Sequence, residues 1–171
     1  MAILALLVGA TIMTSCKKTK VTEKDGIEYT YVKEGNEKAP NGEFLLYNLL
    51  ISTESDSVLY STAENPFPGY IPVNDTMQVN NGMDEIFLNL RKGDSIAFES
   101  TVKTIFGDNF PPTLKEEDVV KVRLGAFEIM SEEAIQAYFE KVMAAEEVKR
   151  EERAAERIIE EDKIIQEYIK E

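Results

Sequence analysis

The side chains that most often carry out catalysis in proteins are scarce in this sequence. It contains no His and a single Cys among 171 residues. The absence of imidazole removes Ser-His-Asp triads, His-based acid–base catalysis and most zinc sites. We therefore expect a function that needs no group titrating near pH 7.

The single thiol, Cys16, lies where a lipid could be attached. It follows an uncharged apolar run over residues 2–13 and the pair Thr14-Ser15, which resembles the lipid-attachment signal of a bacterial lipoprotein. We expect residues 1–15 to be a signal peptide and 16–25 a flexible tether. Diacylated Cys16 would then hold the protein on a membrane of the cell envelope, facing the periplasm. The run departs from the usual signal peptide in one respect, since no Lys or Arg precedes it. An ordinary buried helix with a free thiol is the alternative.

The charge of the chain argues against one class of partner. Acidic residues outnumber basic residues 32 to 19, for a formal net charge of -13. Such a field repels phosphate groups, so nucleic acid is not expected to bind. Hydrophobic residues make up 43% of the chain, which is enough for an ordinary core.

Most of the chain between Ile27 and Ile129 has the pattern of short strands. Ile27, Tyr29 and Tyr31 alternate with polar residues, and residues 44–52 form a continuous apolar run. Further strands are expected at residues 57–61, 95–102 and 119–129. Residues 82–90 have apolar positions at helical spacing. The fold class is therefore α+β, with an antiparallel sheet around one short helix.

The order of turn and loop motifs resembles the FKBP domain over residues 26–130. The motifs are Glu34-Gly35, Pro40-Asn41-Gly42, Gly82, Lys92-Gly93, Phe106-Gly107 and Pro111-Pro112. FKBP domains are peptidyl-prolyl cis-trans isomerases with a twisted antiparallel sheet wrapped on one helix. The resemblance implies that fold and that activity here, with no metal and no cofactor. An unrelated α+β domain is the alternative.

The resemblance also implies which side chains line an apolar substrate cavity. Tyr47 and Phe106 match the catalytic positions. The implied substrate-binding residues are Leu59, Tyr60, Tyr70, Val79, Met83 and Val122. For Met83 and Val122, a plain core position is an equally good interpretation.

Several of these positions depart from the family pattern. Phe106 lacks the hydroxyl that could donate to a bound carbonyl, and Tyr60 replaces a carboxylate. Asn80 puts an amide where an apolar wall is expected, and Met83 replaces a rigid Trp with a flexible side chain. We therefore expect weak isomerase activity toward proline-containing peptides or unfolded exported proteins. A non-catalytic FKBP-like chaperone or scaffold is the alternative, and a purely structural envelope lipoprotein is a third hypothesis.

Residues 131–171 predict one long charged helix. Ser131 is a good N-cap, and no Gly or Pro follows it. The start of the helix has an apolar stripe that includes Ile135 and Phe139, whereas residues 146–157 are nearly all charged or Ala. The end regains large apolar residues from Ile158 to Ile169. We expect this end to contact a second subunit, a client or a further domain.

Overall fold

A computed structural model describes residues 18–170, so the apolar run and Cys16 lie outside the described residues. Within that range the chain forms a seven-stranded sheet and three α-helices. The strands are β1 Thr19–Val21, β2 Glu28–Lys33, β3 Phe44–Thr53, β4 Val58–Ser61, β5 Gly69–Pro72, β6 Ser95–Thr101 and β7 Val119–Met130. The helices are α1 Gly82–Asn89, α2 Val102–Phe106 and α3 Glu132–Lys170, with a 3-10 turn at Thr62–Glu64.

The sheet is antiparallel, and its strands lie in the order β1-β2-β6-β7-β3-β4. Strand β3 is long enough to hold two partners along one edge. Its first part pairs with β5 and its last part pairs with β4. The prediction of an α+β fold with an antiparallel sheet, one short helix against it and a long C-terminal helix is confirmed.

The core lies between the inner face of the sheet and α1. Alternate residues of β7 are buried: Val120, Val122, Leu124 and Ala126. They belong to the same apolar cluster as Ile86 of α1. The period-two alternation in the strands and the helical spacing in α1 therefore bury one face of each element.

The turn between β1 and β2 holds the N-terminus of α1 in place. The Asp25 carboxylate accepts a hydrogen bond from the backbone N–H of Gly82 at 2.7 Å. The Glu85 carboxylate in turn accepts from the N–H groups of Glu23 and Lys24, at 2.8 and 3.2 Å. Each carboxylate thus satisfies backbone donors that the turn and the helix start would otherwise leave free. Residues 16–25 were expected to form a flexible tether, but Thr19–Val21 within that segment form strand β1, which pairs with β2.

Three elements were not predicted from the sequence. Strand β1 is polar and short, and helix α2 has only five residues. Strand β5 has only four residues and begins at Gly69, directly after the Pro-rich segment 65–68. None of the three has a long hydrophobic period, so only the pairing with neighbouring strands or the local caps defines it.

Helix α3 is confirmed as one continuous helix. The Ser131 hydroxyl accepts a hydrogen bond from the Ala134 N–H at 3.2 Å and so caps its start. Ile135 is buried, but most later side chains are exposed. Among residues 18–170, no helix has both the length and the apolar character needed to cross a membrane.

Candidate functional site

Tyr47 belongs to a half-buried apolar surface that packs against the core on the inner face of the sheet. Its ring is 4.9 Å from the ring of Phe87 on α1, measured between centroids, with the planes tilted by 46°. On β5, Gly69 pairs directly with Tyr47, and the absence of a side chain there leaves room for the ring. Tyr47 is thus placed by three elements: its own strand, the helix and β5.

A β-bulge places Leu59 and Tyr60 on the same side as Tyr47. The register of β3 and β4 shifts between Ile51 and Ser52, so β4 has an extra residue there. Leu59 packs against the core cluster, whereas Tyr60 stays 41% exposed. Bulges re-aim side chains in this way and are common next to binding sites. The structure therefore places Tyr47, Leu59 and Tyr60 on one side of the sheet.

Phe106 ends helix α2 and packs, half-buried, against the same core cluster. The Thr101 hydroxyl caps the start of α2 by accepting from the Thr104 N–H at 3.2 Å. The helix stops at Gly107, whose φ of 61° lies in the left-handed region that favours glycine. These two ends fix the position of the Phe106 ring, which has no polar atom to offer a ligand.

Met83 is also half-buried against the core, one turn before Phe87 on α1. Val79 is half-buried in the loop before the helix, and its carbonyl accepts a hydrogen bond from the Lys24 ammonium. Asn80 is exposed, so its amide does not form part of an apolar wall. This side of the site therefore has a flexible side chain at Met83 and an exposed amide at Asn80, whereas the other side has the rings of Tyr47 and Phe87.

Two predicted site residues do not join the Tyr47 surface. Val122 is fully buried between β3 and β6, where it pairs with Ile51 and Phe98. Val122 is therefore a residue of the core on which the site residues pack, and it does not itself reach the surface. Tyr70 follows Gly69 and so lies on the opposite face of β5, with its ring 5.2 Å from that of Phe139 on α3. Because side chains alternate along a strand, Tyr70 cannot contact Phe139 on one face of β5 and also line the Tyr47 surface on the other.

Sequence reasoning missed several apolar residues that pack around the predicted ones. They are Leu49, Phe87, Ile105, Phe110 and Leu114. Two of them had a usable signal, because Leu49 is two residues from Tyr47 on a strand and Phe87 is four residues from Met83 on a helix. Ile105 lies on α2, which the sequence did not predict, and Phe110 and Leu114 lie in the segment that follows this helix.

The electrostatics of the site are those of an apolar environment. Burial raises the pKa of the Tyr47 phenol, and the neighbouring Tyr60 raises it further. The phenol therefore stays protonated and can donate a hydrogen bond at any ordinary pH. Within residues 18–170 there is no cluster of His, Cys, Asp and Glu suited to holding a metal ion. The site can offer a ligand apolar contact and phenol donors.

The fold resembles solved FKBP structures. The crystal structure of the three FKBP domains of wheat FKBP73 matches this chain with a TM-score of 0.51 and 16% sequence identity. The match covers 68% of this chain and 52% of that chain. FkpA from Escherichia coli and a peptidyl-prolyl cis-trans isomerase from Pseudomonas syringae pv. tomato each give 0.49, with 15% and 12% identity. Both cover 66% of this chain, and 52% and 81% of their own chains. This chain thus spans about half the length of FkpA and of FKBP73.

The similarity to wheat FKBP73 establishes an FKBP-like fold and no more than the fold. No protein-family profile matches the sequence, and no curated protein matches it. What the comparisons establish is therefore a fold: an FKBP-like α+β domain followed by a long helix.

Proposed function

We propose that this protein is a slow peptidyl-prolyl cis-trans isomerase that acts as a folding helper. The observation that carries the proposal is the half-buried apolar surface that includes Tyr47, in the FKBP-like sheet. A twisted X–Pro amide loses its resonance, which sets a barrier of about 18–20 kcal/mol. The twisted amide is less polar than the planar one, so an apolar surface that excludes water favours it.

The side chains of the site divide this task between them. Phe87 and Leu59 would contact the proline ring, and the phenol hydroxyls of Tyr47 and Tyr60 would be hydrogen-bond donors for a substrate carbonyl. Phe106 would contribute only apolar contact. Because a useful donor is worth about 1 kcal/mol, its absence at Phe106 should cost roughly fivefold in rate.

The direct test is an isomerisation assay on a short X-Pro peptide with the full chain. Tyr47→Phe removes only the hydroxyl and should lower kcat/KM by about threefold to tenfold. Phe106→Tyr should raise it by a similar factor, and Met83→Trp should also raise it. Tyr168→Phe is the matched control, since Tyr168 is 81% exposed near the end of α3. A wild-type rate equal to the uncatalysed rate would refute the isomerase proposal.

The setting of this activity is part of the same proposal. Unfolded exported proteins would be the clients, and a lipid on Cys16 would hold the domain in the cell envelope. The support is the apolar run that ends in Thr14-Ser15-Cys16. Mass spectrometry of membrane-extracted protein should find a diacylglyceryl group on an N-terminal Cys16. An intact Met1 with a free thiol would contradict the anchor.

A second candidate is a non-catalytic chaperone or scaffold with the same fold. It is favoured by α3, whose last turns expose six large apolar residues, and by the missing hydroxyl at Phe106. The exposed residues are Ile158, Ile159, Ile164, Ile165, Tyr168 and Ile169. In this case a proline peptide would bind near Tyr47 without faster isomerisation. Binding of the peptide, measured beside the rate, separates the two candidates.

A further inference from the structure

Strand β5 has an aromatic cluster on its outer face, away from the Tyr47 site. Phe139 of α3 lies 4.9 Å from Phe67 in an edge-to-face arrangement, and 5.2 Å from Tyr70. These two rings flank Gly69 along the chain. Phe139 therefore holds the backbone on both sides of Gly69 from outside the sheet.

On the inner face, the same glycine is in close contact with the site. A Cβ added at Gly69 would lie 2.3 Å from the ring of Tyr47, so the backbone of β5 and the Tyr47 ring fit with no space to spare. The segment from Phe67 to Tyr70 is thus enclosed between Phe139 on one side and Tyr47 on the other. Close-packed groups of this kind transmit small displacements instead of absorbing them.

From this enclosure we propose that Phe139 is a positioning residue for Tyr47, acting through Gly69 and β5. Helix α3 then has a role in the site that it does not touch. Removing the Phe139 ring frees the Phe67–Tyr70 segment to move outward, which leaves the Tyr47 ring less constrained. Coupling of this kind is reciprocal, so a ligand on Tyr47 should also change the packing of Phe139.

The consequence for ligand binding depends on the proposed function, whereas the structural coupling does not. Positions that couple to a site without touching the ligand change affinity by about twofold to thirtyfold. Phe139→Ala should therefore raise the Kd of a proline peptide by that factor. The same substitution should lower the pKa of Tyr47 toward its ordinary value, because burial is what raises it.

The test uses fluorine NMR on the full chain labelled with 3-fluorotyrosine. The chain has seven Tyr residues, and the Tyr47 resonance is assigned by its loss in Tyr47→Phe. We expect Phe139→Ala to shift or broaden that resonance and Phe139→Tyr, which keeps the ring, to restore it. Met143→Ala is the matched control, one turn further along α3 with a side chain 58% exposed.

The outcomes separate the coupling from the proposed function. If Phe139→Ala fails to fold, Phe139→Leu is used, and the same shift of the Tyr47 resonance is expected at smaller size. An unchanged Tyr47 resonance in a folded Phe139 variant would overturn the inference, as would an equal shift in Met143→Ala. If wild-type protein binds no proline peptide, the proposed function fails, while the NMR comparison still decides whether Phe139 positions Tyr47.

Discussion

The ring of Tyr47 lies directly over Gly69, so close that a methyl group on Gly69 would be 2.3 Å from ring carbons Cε2 and Cζ. The two residues are paired across β3 and β5. This contact explains why strand β5 begins with a glycine. Its φ is not in the left-handed region, so the requirement is for space and not for backbone conformation.

We predict that Gly69→Ala destabilises the protein by about 1–3 kcal/mol, the usual cost of overpacking. The cost arises from the clash with the Tyr47 ring, so it should nearly vanish in a Tyr47→Ala background. Urea unfolding of the two single variants and the double variant measures this coupling. A Gly69→Ala cost that is the same in both backgrounds would show that the Tyr47 ring is not responsible.

Asp94 is a buried carboxylate that organises the turn before β6. It is 2% exposed, and its two oxygens accept from the N–H groups of Gly35 at 2.6 Å and Arg91 at 2.7 Å. Asp94→Ala would leave two backbone donors without their partner. We predict a loss of about 2–4 kcal/mol in the free energy of unfolding, and a smaller loss for Asp94→Asn, which keeps one acceptor. The exposed Asp75→Ala is the control, and a cost for Asp94→Ala no larger than the control's would contradict the prediction.

The sequence predicted the elements that carry a long hydrophobic period. Strand β3 is a continuous apolar run, β7 alternates over residues 119–126, and α1 has apolar residues at helical spacing. The site residues on β3 and β4 came from the resemblance to FKBP domains and not from this periodicity. The face that Tyr70 takes could not be predicted, because it depends on the register of β5 against β3, and the Pro-rich segment has no alternation to reveal it.

The degree of burial of a side chain on a given face of the sheet is the other property that could not be predicted from sequence alone. Val122 shares the inner face of the sheet with Tyr47, yet it is fully buried at the sheet centre while Tyr47 reaches the surface. Alternation assigns a residue to a face. Only the order of the strands says how many neighbours cover it, and that order places β7 between β6 and β3.

The buried phenol of Tyr29 predicts a loss of stability at high pH. Burial, with a further contribution from Tyr31, raises the pKa of Tyr29 from 10.0 to about 12. Between those values the folded state keeps a proton that the unfolded state has released. The contribution of the Tyr29 phenol to the free energy of unfolding is therefore fully present below pH 10 and is lost as the pH rises toward 12. Urea unfolding in that interval should show a shallower decline in Tyr29→Phe than in wild type. Equal slopes in the two proteins would contradict the assignment.

The last turns of α3 lead to a prediction about self-association. Six large apolar side chains between Ile158 and Ile169 are 53–81% exposed. Ile158, Ile165 and Ile169 are spaced by seven and four residues, so they share one face of the helix. Burying each side chain is worth about 1.5–3 kcal/mol, which is enough to drive pairing with a second copy of this helix.

We therefore expect the full chain to form a dimer in solution and a chain truncated after Glu156 to be a monomer, as measured by light scattering over a range of concentrations. The sheet and α1 should be unaffected, because the apolar cluster that forms the core contains no residue of α3. Ile158→Glu with Ile165→Glu is a finer test, since it keeps the length of the helix and removes only its apolar face. If the full chain is a monomer at every concentration, the exposed face does not pair with its own copy. Isolated helices are marginal in water, so the last turns of such a monomer should also exchange their amide protons quickly.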